Sequence, residues 1–98
     1  LKYFVIIKHM NLEELRNQID QVDQDIIQLL EKRMTIVQKI SEVKEAQGHN
    51  ILDSTRELEV LNRAQQAIKT PAYQETILQT YQDIMKNSRE YQSKARLK

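Results

Sequence analysis

The sequence predicts an all-α protein, and three observations carry that expectation. Glycine and proline occur once each, and aromatic residues make up only 5% of the chain. Leu, Ile, Glu, Gln, Lys and Arg, good helix formers for the most part, are abundant. Apolar side chains recur at steps of three and four over most of the length. With 98 residues and roughly 150 residues to a typical domain, there is room for a single domain. The expected architecture is three helices, one long and two shorter, bounded at both ends by segments of a different character.

Residues 1–11 read as a leader without function, with a start at Met10. The run Tyr3-Phe4-Val5-Ile6-Ile7 is strand-like or simply sticky. It is too short for a membrane span and lacks the cleavage pattern of a signal peptide.

The long helix is expected between Leu12 and Gln47. Its apolar positions are Leu12, Leu15, Ile19, Val22, Ile26, Leu29, Ile36, Ile40 and Val43, a heptad seam. Such a helix runs about 54 Å, whereas a compact globule of this size has a radius of gyration of roughly 13 Å. The helix must therefore overshoot its own domain. Gly48, followed by His49 and Asn50, is suited to the position that ends it. The second helix starts near Asp53-Ser54, where Ser54-x-x-Glu57 has the form of a capping box, and carries the stripe Leu58, Leu61, Ala64 and Ile68. The third opens with Thr70 as cap and Pro71 in its first turn. It runs towards Gln92, with Ile77, Tyr81, Ile84 and Met85 on its inner face. A short turn at Pro71 favours an antiparallel hairpin. The part of the seam this hairpin leaves open needs another chain, most simply a second copy, so a homodimer is expected. Residues 94–98 read as a basic tail, with Lys94, Arg96 and Lys98 at a solvated end.

Composition narrows the chemistry. Lys and Arg total 15 against 14 Asp and Glu, a net charge of +1, so neither nucleic acid nor an anionic membrane is an expected partner. The absence of cysteine removes disulfides, thiolate metal sites and a cysteine nucleophile, and fits a reducing, cytoplasmic compartment. The histidines, His9 and His49, fall in the leader and a loop, so no metal set is expected. Gly48 alone makes no phosphate loop. No nucleophile stands with a base. No cofactor is expected, and an enzyme built on this chain must work by charge placement and shape.

Several polar residues interrupt the apolar pattern. Arg33 stands where the heptad calls for an apolar side chain. It either marks a splayed or ion-paired point of the seam or awaits an anion suited to a two-pronged guanidinium. Lys44 lies eleven residues on, about 16 Å along the axis and about 20° around the same face. It either complements the helix dipole or, leaning back towards Arg33, bridges a small dianion with it. Arg16 lies about 26 Å from Arg33 and about 42 Å from Lys44 on a straight helix. One small ligand cannot meet all three in one chain. In an antiparallel dimer Arg16 falls level with the neighbour's Lys44 region, as a ligand group or as a partner for Glu42 or Glu45. Asp53, Arg56 and Glu57 cluster at the start of the second helix, where Asp53 or Ser54 caps, Glu57 closes the box, and Arg56 is an unfavourable cation that prefers a ligand or an acidic neighbour. Ser88 and Gln92 share the face of Ile77, Tyr81 and Ile84, as a frayed final turn or as part of a site.

Taken as an ordered set, these residues resemble the all-helical (AroQ-class) chorismate mutase family. The carriers are Leu15-Arg16-x-x-Ile19-Asp20-x-x-Asp23, Leu29-Leu30-x-x-Arg33, Lys44, Ile51-x-Asp53-x-x-Arg56-Glu57 and Ile84-Met85-x-x-Ser88-x-x-x-Gln92. The likeness covers nearly everything from Leu12 to about Gln92, which makes 12–93 the mutase domain. It implies an intertwined homodimeric helical bundle whose two sites each use both chains, and a small dicarboxylate substrate, chorismate, rearranged to prephenate. By that similarity Arg33 and Arg16 of the partner subunit hold the carboxylates, with Arg56 and Ser88 assisting. Lys44 and Gln92 meet the ether oxygen, and Glu57 with the backbone near Asp53 meets the ring hydroxyl. Isochorismate pyruvate-lyase on the same scaffold, and a non-catalytic dimerisation or regulatory module, are the alternative readings.

Overall fold

Every element of the chain is helical among the described residues, 2–97 of a computed structural model. Helix α1 spans Lys2–His9, α2 Leu12–Ala46, α3 Ser54–Ala67 and α4 Gln74–Arg96, with a 3₁₀ turn at Pro71–Tyr73 before α4. Leu1 and Lys98, the ends of the expected leader and basic tail, lie outside the described residues. No described helix is long and apolar enough to cross a membrane.

The chain divides into two units, residues 1–33 and 34–98. The first holds α1 and the greater part of α2. The strand-like reading of Tyr3–Ile7 is corrected here, since these residues are helical. A helix satisfies its backbone groups internally, whereas a lone strand among helices has no edge to pair with. Lys8 and His9 in the last turn of α1 also suit the negative end of its dipole. The Asn11 side chain accepts from Glu13 N at 2.9 Å and so caps α2. Beyond it the seam faces outward: Leu15, Ile19, Val22, Ile26 and Leu29 are all exposed, Leu29 by 65%.

The second unit holds the core. Val37 and Met85 are its buried apolar residues, beside buried Ser41, Ser88 and Gln92. Residues 34–46 of α2 carry two stripes. Val37 and Ser41 are covered, with Met34, Gln38 and Lys44 half-buried around them, while Ile36, Ile40 and Val43 stay about half exposed (49%, 45% and 53%). Adjacent residues are turned by roughly 100°, so the covered stripe and the seam point about a quarter turn or more apart. The seam is therefore not what packs on this chain's own helices.

Glu57 near the start of α3 pairs with Arg89 late in α4, and the end of α3 passes through the Pro71 turn to the start of α4, so the two are antiparallel as expected. Met34, Gln38 and His49 meet Ser88, Tyr91 and Arg96 in ascending order, so α4 runs in the same direction as the end of α2. Local details depart from expectation. Leu58 of the predicted α3 stripe is exposed, while Val60 shares the half-buried face with Leu61, Ala64 and Ile68. The Thr70 side chain makes no cap bond, and Pro71 starts the 3₁₀ turn rather than α4. Helix α4 continues to Arg96, so Lys94 and Arg96 belong to its last turn rather than to a solvated tail.

Candidate active site

The loop between α2 and α3 is fixed at both ends by local chemistry. Gly48 adopts φ +72°, the left-handed conformation that a side chain disfavours. His49 N then donates to Lys44 O at 2.7 Å and Gly48 N to Glu45 O at 3.2 Å, the paired bonds of a Schellman ending. At the far end Asp53 caps α3, its Oδ1 accepting from Arg56 N at 3.0 Å. Asp53 takes the cap alone, which corrects the expected box between Ser54 and Glu57. Ser54 is already helical, and the Glu57 carboxylate is drawn across to the Arg89 guanidinium.

Lys44 is half-buried and its Nζ donates to Ile51 O at 2.8 Å, so the ammonium lies along the loop. Lys44 and Asp53 line one cavity of about 290 Å³ with His49, Asn50, Leu52 and Ser54. Arg56 is exposed and pairs with Glu59 at 3.4 Å, the acidic neighbour its position calls for. A solvent-screened pair of this kind holds the guanidinium weakly. It lines a different cavity, about 600 Å³ between α3 and the start of α4, with Arg63, Lys69 and Tyr81.

Ser88 and Gln92 are not in a frayed turn. Both are buried one turn apart on α4, at 5% and 6% exposure. Ser88 Oγ donates to Ile84 O at 2.8 Å, a bond within the helix. Gln92 Nε2 donates to Ser88 O at 3.3 Å, a long contact, while Gln92 Oε1 is buried without a hydrogen-bond partner. The open position at this buried amide is therefore an acceptor, while its donor is held only by the long bond to Ser88 O. Arg16, exposed, and Arg33, half-buried, both belong to the first unit. The structure thus joins Lys44 to Asp53 and Ser88 to Gln92, and turns Arg56 and Glu57 towards neighbouring charges.

Sequence reasoning missed Arg89 as the partner of Glu57 and missed the buried Ser41. Arg89 could have been sought as the cation that a carboxylate on an inner helix face requires. Ser41 had no such signal. Among the described residues no group of three or more His, Cys, Asp or Glu side chains gathers as a metal site.

A family model for chorismate mutase type II matches residues 15–93. The chain belongs to that family. All the candidate residues, from Arg16 to Gln92, fall inside the matched span, whereas α1 and the last residues of α4 fall outside it. A solved structure of a conserved hypothetical protein from Pyrococcus furiosus is 36% identical, with a TM-score of 0.59, over 80% of this chain and 93% of that one. No curated protein matches the chain.

Proposed function

We propose that this chain is a chorismate mutase, converting chorismate to prephenate without a cofactor, as a cytoplasmic homodimer. Two features inside the family span support the reading: the half-buried ammonium of Lys44, and the buried amide of Gln92, whose Nε2 makes one long hydrogen bond, to Ser88 O at 3.3 Å. The rearrangement breaks the ether carbon–oxygen bond and forms a carbon–carbon bond in one cyclic shift. No proton moves and no nucleophile is consumed. What accelerates it is restraint of a flexible substrate in its reactive chair-like form, plus donors where negative charge grows on the ether oxygen.

In this reading Lys44 and Gln92 donate to that oxygen. Arg33 and Arg16 of the partner subunit bind the two carboxylates, with Arg56 and Ser88 assisting, and Glu57 and the backbone near Asp53 meet the ring hydroxyl. Arg16 acts in trans because about 26 Å of straight helix separates it from Arg33. The outward seam supports the second copy, for Ile36, Ile40 and Val43 remain exposed on the chain alone.

The test is turnover of chorismate by the chain from Met10 onward. Prephenate as product supports the mutase, and pyruvate released from isochorismate would assign the lyase instead. Lys44→Ala should lower kcat by about 10²–10³-fold, the effect of losing one preorganised donor, while the protein stays folded. Undiminished turnover in that variant removes Lys44 from the mechanism. The exposed seam also suits a non-catalytic dimerisation module, and Arg33→Leu separates the two. A module tolerates it, whereas the enzyme loses binding of a dicarboxylate transition-state mimic, read as a lost thermal shift.

A further inference from the structure

We infer that Arg96 is a positioning residue, a clamp from the last turn of α4 that holds the α2–α3 loop and, through it, the ammonium of Lys44. Its Nη2 donates to His49 O at 3.0 Å, across 47 residues of sequence. His49 is the residue whose N–H closes the end of α2 on Lys44 O, and two residues later Ile51 O receives Lys44 Nζ. The loop therefore touches Lys44 twice, once at its backbone and once at its side chain, and Arg96 grips the loop between these contacts.

Arg96 is half-buried, and its Nε is a buried nitrogen without a hydrogen-bond partner. An unmade bond at Nε is unfavourable by itself, and the bond from Nη2 to His49 O, on the exposed side, is the one this guanidinium makes to the loop. Ser88, Gln92 and Arg96 stand at successive steps of four on α4, one line on one face. The first two members are buried candidates for the site, and the third fastens the loop that carries the Lys44 contact. Lys94, in the same turn, is exposed and makes no such bond among the described residues.

The role in catalysis rests on the mutase reading, and the experiment keeps the two apart. Hydrogen exchange at the Gly48 and His49 amides is measured in the full chain for Arg96→Ala, Arg96→Lys and Lys94→Ala, beside chorismate kinetics. Arg96→Ala should speed exchange at these two amides about tenfold, the equivalent of one hydrogen bond to a charged group, while the amides within α3 keep their protection. It should lower kcat by a similar factor with KM little changed, because the transition-state donor and not the carboxylate clamp is loosened. Arg96→Lys, which keeps a donor, should recover most of both effects, and Lys94→Ala should match the unaltered protein. If Arg96→Ala does not fold, Arg96→Met, which keeps an apolar stem and removes the donors, carries the same prediction. Unchanged exchange in a folded Arg96→Ala overturns the clamp. Faster exchange with no chorismate turnover in the unaltered protein leaves the clamp standing and discards the mutase reading.

Discussion

The Glu57–Arg89 ion pair ties α3 to α4 where both side chains are only partly exposed, at 24% and 31%. Water screens it less than the Arg56–Glu59 pair, whose side chains are more than half exposed. Removing one partner leaves the other partly desolvated and alone. Arg89→Met should therefore lower stability by about 2 kcal/mol, measured by urea unfolding, whereas Glu59→Gln should change it by less than about 0.5 kcal/mol. If chorismate is the substrate, Arg89→Met should also raise KM, because an untethered Glu57 loses its aim. A comparable unfolding midpoint for both variants would show that the inter-helix pair has no special weight.

At the scale of elements, the ends of the helices decide how the loop is presented. Nothing stands within 4 Å of a Cβ built on Gly48, so its φ of +72° is the whole constraint. Gly48→Ala should cost about 1–2 kcal/mol from left-handed strain alone, read as a lower melting temperature without loss of helix content. The ends at Gly48 and Asp53 were legible in the sequence because capping is local and acts within a turn, whereas Pro71 marked the turn but opens a 3₁₀ stretch rather than α4. The faces were not. Which side of α2 packs on α4 depends on contacts more than fifty residues away, such as Ser88 to Met34 and Tyr91 to Gln38. Ser41 is covered although its hydroxyl gives no apolar signal, and the exposed seam gives the stronger one. For the same reason Ser88 and Gln92 read more readily as a fraying turn than as a site, since nothing before Arg96 says that α4 continues. The candidate residues were legible as a set only through their order, and their pairings with Arg89, Glu59 and Ile51 O emerged from the fold.

At the scale of the whole molecule, the proposed second copy makes activity and stability depend on concentration. Ile40→Lys places a charge in the seam while leaving the covered stripe of Val37 and Ser41 intact. It should yield a monomer by sedimentation and abolish turnover if the proposed shared site holds, because that site needs Arg16 of the partner subunit. A dimer of unchanged affinity in that variant would move the interface elsewhere.

The outward row of leucines and isoleucines on α2 also has a kinetic meaning. If the proposed second copy covers this row, a newly made chain can complete its short helices at once, yet keeps the row in water until it collides with another chain. Renaturation from denaturant should then show a late phase whose rate rises with protein concentration, and precipitation should compete with it most severely at the start of the dilution.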